Sequence, residues 1–130
     1  MTQPLQKLPN KDHPITIEPK RARVVVRAGS LVIADTIRAL SLKEAAYPAV
    51  LYVPRADVDI TLLERTELTT HCPYKGDASY FSIPGAGDRA VNIAWSYEAP
   101  YEAVAQIAGY VAFYPDRIVS IEEWELGNVQ

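Results

Sequence analysis

From Ile15 onward the chain consists of short apolar runs broken by proline and glycine, a pattern that predicts strands. Residues 15–18 alternate, and Pro19 ends them. In the next run Arg21, Arg23, Val25 and Arg27 share one face, with Ala22, Val24 and Val26 on the other, as in a half-buried strand. Ala28-Gly29-Ser30 reads as a turn and residues 31–35 as the returning strand of a hairpin. Residues 39–45 fit either a short helical turn or a strand, and Pro48 closes them. Residues 49–53 form a continuous apolar run of the kind buried on both faces. After Pro54, Asp57 or Asp59 is placed to cap a short helix over residues 60–63.

A loop centred on Cys72 follows. Residues 79–83 and 91–97 predict strands around a Pro84-Gly85-Ala86-Gly87-Asp88 turn. Pro100 opens a helix over residues 101–107, which Gly109 terminates. Residues 110–114 and 118–121 complete the set. The expectation is a mainly β, compact antiparallel domain of two sheets with one or two short helices. Residues 1–14 read as a flexible arm, 15–121 as the single β-rich domain, and 122–130 as an acidic, polar tail.

Composition changes this picture little. The chain has 130 residues, enough for one core burying roughly two-thirds of the unfolded surface without a disulfide or metal staple. Hydrophobic residues at 48% and charged residues at 22% describe a globular chain, not a disordered one. A net charge of −3 gives a phosphate-backbone partner no global support. One cysteine cannot make an internal disulfide, residues 1–8 lack a secretory signal's apolar segment, and no apolar run approaches the ~20 residues of a membrane helix. The chain is therefore expected to be cytoplasmic, with no membrane or nucleic-acid partner; a homo-oligomer is left open.

Three sets of residues carry candidate chemistry. Asp57 and Asp59, spaced by two, match the carboxylate pair with which nucleotidyltransferases hold magnesium. Such a pair also needs a Gly-Ser turn shortly before it, and Gly29-Ser30 lies far upstream, so helix capping is the favoured reading. His71 and Cys72 suggest a base and nucleophile, but adjacent side chains diverge. One Cys and two His cannot complete a four-ligand zinc site, and neither a metal nor a cofactor is expected. Cys72 remains either a thiolate activated by Lys75 or a buried, inert thiol. The third set is aromatic. Eight tyrosines against two phenylalanines, among them Tyr52, Tyr74, Tyr80, Tyr97 and Tyr114 beside Trp95, predict a wet cleft in place of a wholly dry core.

Residues 34–40 (Ala-Asp-Thr-Ile-Arg-Ala-Leu), 52–58 (Tyr-Val-Pro-Arg-Ala-Asp-Val), 70–78 (Thr-His-Cys-Pro-Tyr-Lys-Gly-Asp-Ala), 94–97 (Ala-Trp-Ser-Tyr) and 109–116 (Gly-Tyr-Val-Ala-Phe-Tyr-Pro-Asp) occur in this order. Together they resemble the domain of unknown function 427 family, over residues 15–118. Thr36 stands where serine is the more usual residue, which keeps the hydroxyl. The resemblance implies a β-tent or Mss4-like fold, whose structural zinc does not transfer because the cysteines are absent. The family has carried a nucleotidyltransferase-like label, but it brings no established activity.

Two functional expectations follow. In the first, Arg38, Arg55 and Lys75 hold a small anionic metabolite against Tyr52, Tyr74, Trp95 and Tyr97, while Asp35, Glu44, Cys72 or Lys75 does acid–base or nucleophilic work. In the second, the domain is a non-catalytic module that binds a ligand or a partner protein through a sheet face or edge.

Overall fold

The computed structural model describes residues 5–116 and 118–126, and among these the fold is mainly β. The strands are β1 (Ile15–Pro19), β2 (Ala22–Ala28), β3 (Leu31–Thr36), β4 (Leu40–Glu44), β5 (Val50–Tyr52), β6 (Glu64–Cys72), β7 (Gly76–Ser82), β8 (Ala94–Ser96), β9 (Val111–Phe113) and β10 (Val119–Glu125). All pair antiparallel, in the orders β1-β4-β5, β10-β2-β3 and β6-β7-β8-β9. Three sheets thus replace the expected two. The division falls where Pro54, which has no N–H, follows β5. Beyond β5 a single reciprocal pair, Val53 with Val111 at 2.8 Å in both directions, carries the ladder across to β9.

Period-two alternation in β7 to β9 explains why the four-stranded sheet lies between two cores. Phe81, Ala94, Val111 and Phe113 pack with Val24, Val26 and Ile33 of the β10-β2-β3 sheet. Ala78, Tyr80, Tyr97 and Ala112 belong to the second core, with Leu42 of β4, Tyr52 of β5, and Val104 and Ile107. That second core is tyrosine-rich, and the candidate site grows out of it.

Several elements depart from the sequence pattern for identifiable reasons. Of residues 39–45, residues 40–44 resolve as strand β4, because β1 pairs with all five and β5 with residues 40–42 on the other side. The helix expected over 101–107 is a pair of 3-10 turns, Glu102–Ile107, interrupted at Val104 (φ −125, ψ 27). Its Tyr101 N-cap supplies no side-chain hydrogen bond, and six residues cannot repay helix nucleation. The 60–63 helix is likewise a 3-10 turn, Ile60–Leu62, capped by Asp59, which accepts from the Thr61 N–H. Asp57 belongs to the preceding turn, Arg55–Asp57.

The Cys72 segment is a hairpin, not a loop: Cys72 ends β6 and pairs with Gly76, the first residue of β7. Residues 122–125 of the expected tail are the end of β10, with Glu125 opposite Ala22. Residues 127–130 lie outside the described residues, as do residues 1–4 of the expected arm. The rest of that arm is tied down: the Lys7 N–H donates to the Pro73 carbonyl at 2.8 Å, and residues 10–13 form a tight turn. The basic run of β2 is neutralised by its neighbours, with Arg23 on Asp35 (2.6 Å), Arg27 on Glu122 (2.8 Å) and, just ahead, Lys20 on Glu123 (2.6 Å). Val25 is buried despite sharing the Arg23 face.

Candidate functional site

Above the second core lies a chamber of about 150 Å³. Its floor and walls come from β4, β5, β7 and β8, with Tyr52, Tyr80, Trp95 and Tyr97 facing a charged end made by Glu44 and Lys75. Glu44 is the last residue of β4, and the chain then turns through Ala45, whose φ of 48° is left-handed. Lys75 arrives from the opposite side on the β6–β7 turn, where its N–H donates to the Cys72 carbonyl and its own carbonyl accepts from Tyr101. Gly76, at φ 106°, lets the chain re-enter the sheet directly behind it. Two short turns at the ends of different sheets therefore bring a carboxylate and an ammonium together.

The Lys75 ammonium donates to Glu44 Oε1, and His13 Nε2 lies 2.8 Å from Glu44 Oε2. Both members of the Lys75–Glu44 pair are nearly buried, with 12% and 13% of their side-chain surface exposed. Burial pushes the Glu44 carboxyl up, but the bonds to Lys75 and His13 outweigh it and hold the group below its ordinary range. His13 in turn stacks on Tyr74, centroids 3.8 Å apart and rings within 6° of parallel. Lys75 also sits over the Tyr97 ring, 5.8 Å from its centroid.

The aromatic wall is ordered by edge contacts. Trp95 meets Tyr52 edge-on at 87° and donates its indole N–H to the Tyr52 hydroxyl at 3.4 Å, and it packs on Tyr114 at 4.3 Å. Burial pushes the Tyr52 phenol up to about 12, so it is a neutral donor at pH 7 whose proton has no acceptor among the described residues. Tyr97 is 7% exposed and its phenol is raised too, by burial and then by the neighbouring Tyr52, Cys72 and Tyr80. Its hydroxyl makes no hydrogen bond among the described residues. Tyr80 is satisfied by Thr70 at 2.9 Å. The chamber thus offers two neutral phenol donors and the remaining ammonium hydrogens of Lys75, set against one ionised carboxylate already engaged.

The sequence candidates divide cleanly. Glu44, Tyr52, Lys75, Trp95 and Tyr97 line one chamber. Arg38, Arg55 and Tyr74 do not. Arg38 is largely exposed and forks onto Asp57, which also accepts from Thr36 Oγ1 at 2.7 Å. Arg55 is spent on the Gly109 carbonyl (3.0 Å), Ser96 Oγ (3.2 Å) and Glu98 (3.4 Å). The cleft expected to unite Arg38 and Arg55 with Lys75 and Trp95 therefore does not form, because each arginine is used where its own turn places it. Tyr74 stands one layer back, behind His13. Asp35 is on the surface with Arg23. Cys72 is half-buried against the second core, and His71, pointing the other way from its strand, pairs with Asp77 at 2.7 Å.

Tyr47 and Pro48, on the turn after Glu44, line the chamber without having been singled out in the sequence. His13 was also missed. A histidine in a polar stretch carries no signal for a stacking partner sixty residues away. Among the described residues no cluster of three or more His, Cys, Asp or Glu is placed to hold a metal, and no helix is long and apolar enough to cross a membrane. A family model described as a domain of unknown function, DUF427, matches residues 16–124. No curated protein matches the chain.

Proposed function

The chain belongs to the DUF427 family, and from that premise we propose that it is a small-molecule-binding domain whose ligand places a carboxylate, or a similar acceptor group, in the Glu44–Lys75 chamber. The observation that carries the reading is Tyr97: its ring is buried, but its hydroxyl has no hydrogen-bond partner among the described residues and is left accessible at the chamber it lines. A phenol hydroxyl that no protein group engages is free to donate to a ligand acceptor. The Tyr52 proton and Lys75 supply two further donors, so the chamber is matched to an acceptor-rich head. Ionised Glu44 argues for a monoanion over a phosphate dianion, since every added negative charge is repelled at close range. The aromatic wall supplies apolar area around that head.

A chamber of this size holds about six to eight non-hydrogen atoms, judged by the ligands of cavities of similar volume. A fragment that small is expected to bind with Kd on the order of 0.1–1 mM, about half the ceiling of roughly 1.5 kcal/mol per non-hydrogen atom. The test is calorimetric titration with butanoate and with butanamide. Butanoate should bind, butanamide at least tenfold more weakly, and Tyr97→Phe should weaken butanoate about tenfold by removing one donor while keeping the ring. Equal binding of acid and amide, or no effect of Tyr97→Phe, would refute the reading.

A further inference from the structure

The chamber is not closed. Tyr47, Pro48, Val50, Trp95 and Tyr114 also border a second, larger recess of about 520 Å³, which continues past them along Ala49, Leu51, Phe113 and Pro115 to Ile121 and Glu123. Five side chains thus border both recesses, so the charged chamber and a groove of mostly apolar side chains adjoin. The chemistry changes from one to the other. At the inner end are the Lys75 ammonium and the Tyr52 and Tyr97 hydroxyls; beyond Trp95 and Tyr114 come proline, alanine, leucine and phenylalanine. Tyr47 and Tyr114 are 64% and 46% exposed, large aromatic surfaces left open beside a polar hole. Glu123, engaged by Lys20 at 2.6 Å, lies among the groove residues not shared with the chamber.

We propose that the ligand is elongated and amphipathic: a monocarboxylate head in the Glu44–Lys75 chamber and an unbranched or aryl apolar tail in the groove between the Tyr47–Leu51 segment and Phe113–Pro115. This rests on the chamber reading and extends it to a substrate class. The carboxylate of Glu123 makes the groove unsuited to a second anionic group, so the ligand is charged at one end only. The tail contributes by burying apolar area against Trp95, Tyr114 and Pro48, at roughly threefold in affinity for each methylene moved out of water.

The test is a calorimetric series on the full chain with butanoate, hexanoate, octanoate and 1-octanol, all kept below aggregation, on the natural protein and on Ala49→Asp. Ala49 is exposed, so the substitution puts a charge in the groove without touching either core. Affinity should climb about threefold per methylene from butanoate to octanoate. In Ala49→Asp the climb should flatten, while butanoate binds within twofold of its original strength. Affinity that is flat beyond butanoate, or a climb that survives Ala49→Asp, overturns the groove and leaves the chamber standing. If 1-octanol binds as tightly as octanoate and Ala49→Asp weakens both, the groove stands and the carboxylate head is refuted. Absence of binding by every acid removes both.

Discussion

At the scale of single residues, the chamber is defined by groups whose surroundings set their protonation and their unused bonds. Tyr97→Phe removes a hydroxyl that has no protein partner among the described residues and is accessible at the chamber, so it should cost no stability. Thermal unfolding is expected to give a Tm equal to or slightly above that of the natural protein, and a fall of several degrees would show that the hydroxyl is bonded. Glu44 works in the opposite sense. Its folded pKa is depressed below the ordinary 4.5, so its contribution is present above that pH and is lost as pH falls through the folded value. Unfolding profiles should therefore diverge with pH: Glu44→Gln is less stable than the natural protein at pH 7, and the gap narrows below pH 4.5. A gap independent of pH would mean that the carboxylate charge is not what Lys75 and His13 hold. Residue types pointed to several of the side chains that line the chamber, since Tyr52, Trp95 and Tyr97 read as a wet aromatic set and Glu44 and Lys75 as acid–base candidates. Arg38 and Arg55 misled because a charged residue in a turn looks the same in sequence whether it serves a ligand, Asp57 or the Gly109 carbonyl.

At the scale of elements, the β6–β7 hairpin delivers Lys75, and Gly76 makes its geometry available. A Cβ added there would meet Ala99 and Pro100 backbone atoms at 3.6 Å, an ordinary contact, so the penalty comes from the positive φ alone. Gly76→Ala is expected to destabilise the fold by about 1–2 kcal/mol in urea titration, with an unchanged m-value. No loss would mean that the turn relaxes freely and does not fix Lys75. The same hairpin shows why part of the fold was invisible in sequence. β6 is an edge strand exposed along most of its length, so neither face carries an apolar stripe to reveal the period. Its charges Glu64, Arg65 and Glu67, and its irregular register between Arg65 and Thr69, suit an edge that must resist pairing with other chains. β10 hid for the same reason, its outer half reading as an acidic tail until Glu122 and Glu123 are seen against Arg27 and Lys20. Strands with a continuous buried face were legible, β2 over most of its length and β7 from Ser79 onward.

At the scale of the whole molecule, the chamber belongs to no single element. Glu44 comes from the β1-β4-β5 sheet, Lys75, Trp95 and Tyr97 from the four-stranded sheet and its borders, and His13 from the segment ahead of β1; the Val53–Val111 pair holds the two sheets in register. Such an assembly depends on sheet order, which local patterning does not encode, and this is why the residues were recognisable and their grouping was not. It also supplies its own reporter. The chain has two tryptophans: the indole N–H of Trp95 donates to Tyr52 in the chamber wall, whereas that of Trp124 donates to Glu122 on the surface. A ¹H–¹⁵N correlation spectrum therefore holds two indole signals, one inside the site and one serving as control. On titration with octanoate the Trp95 signal should shift saturably while that of Trp124 stays in place. A Trp95 signal that does not move, or two signals that drift together without saturating, would contradict the assignment of this chamber as the ligand site.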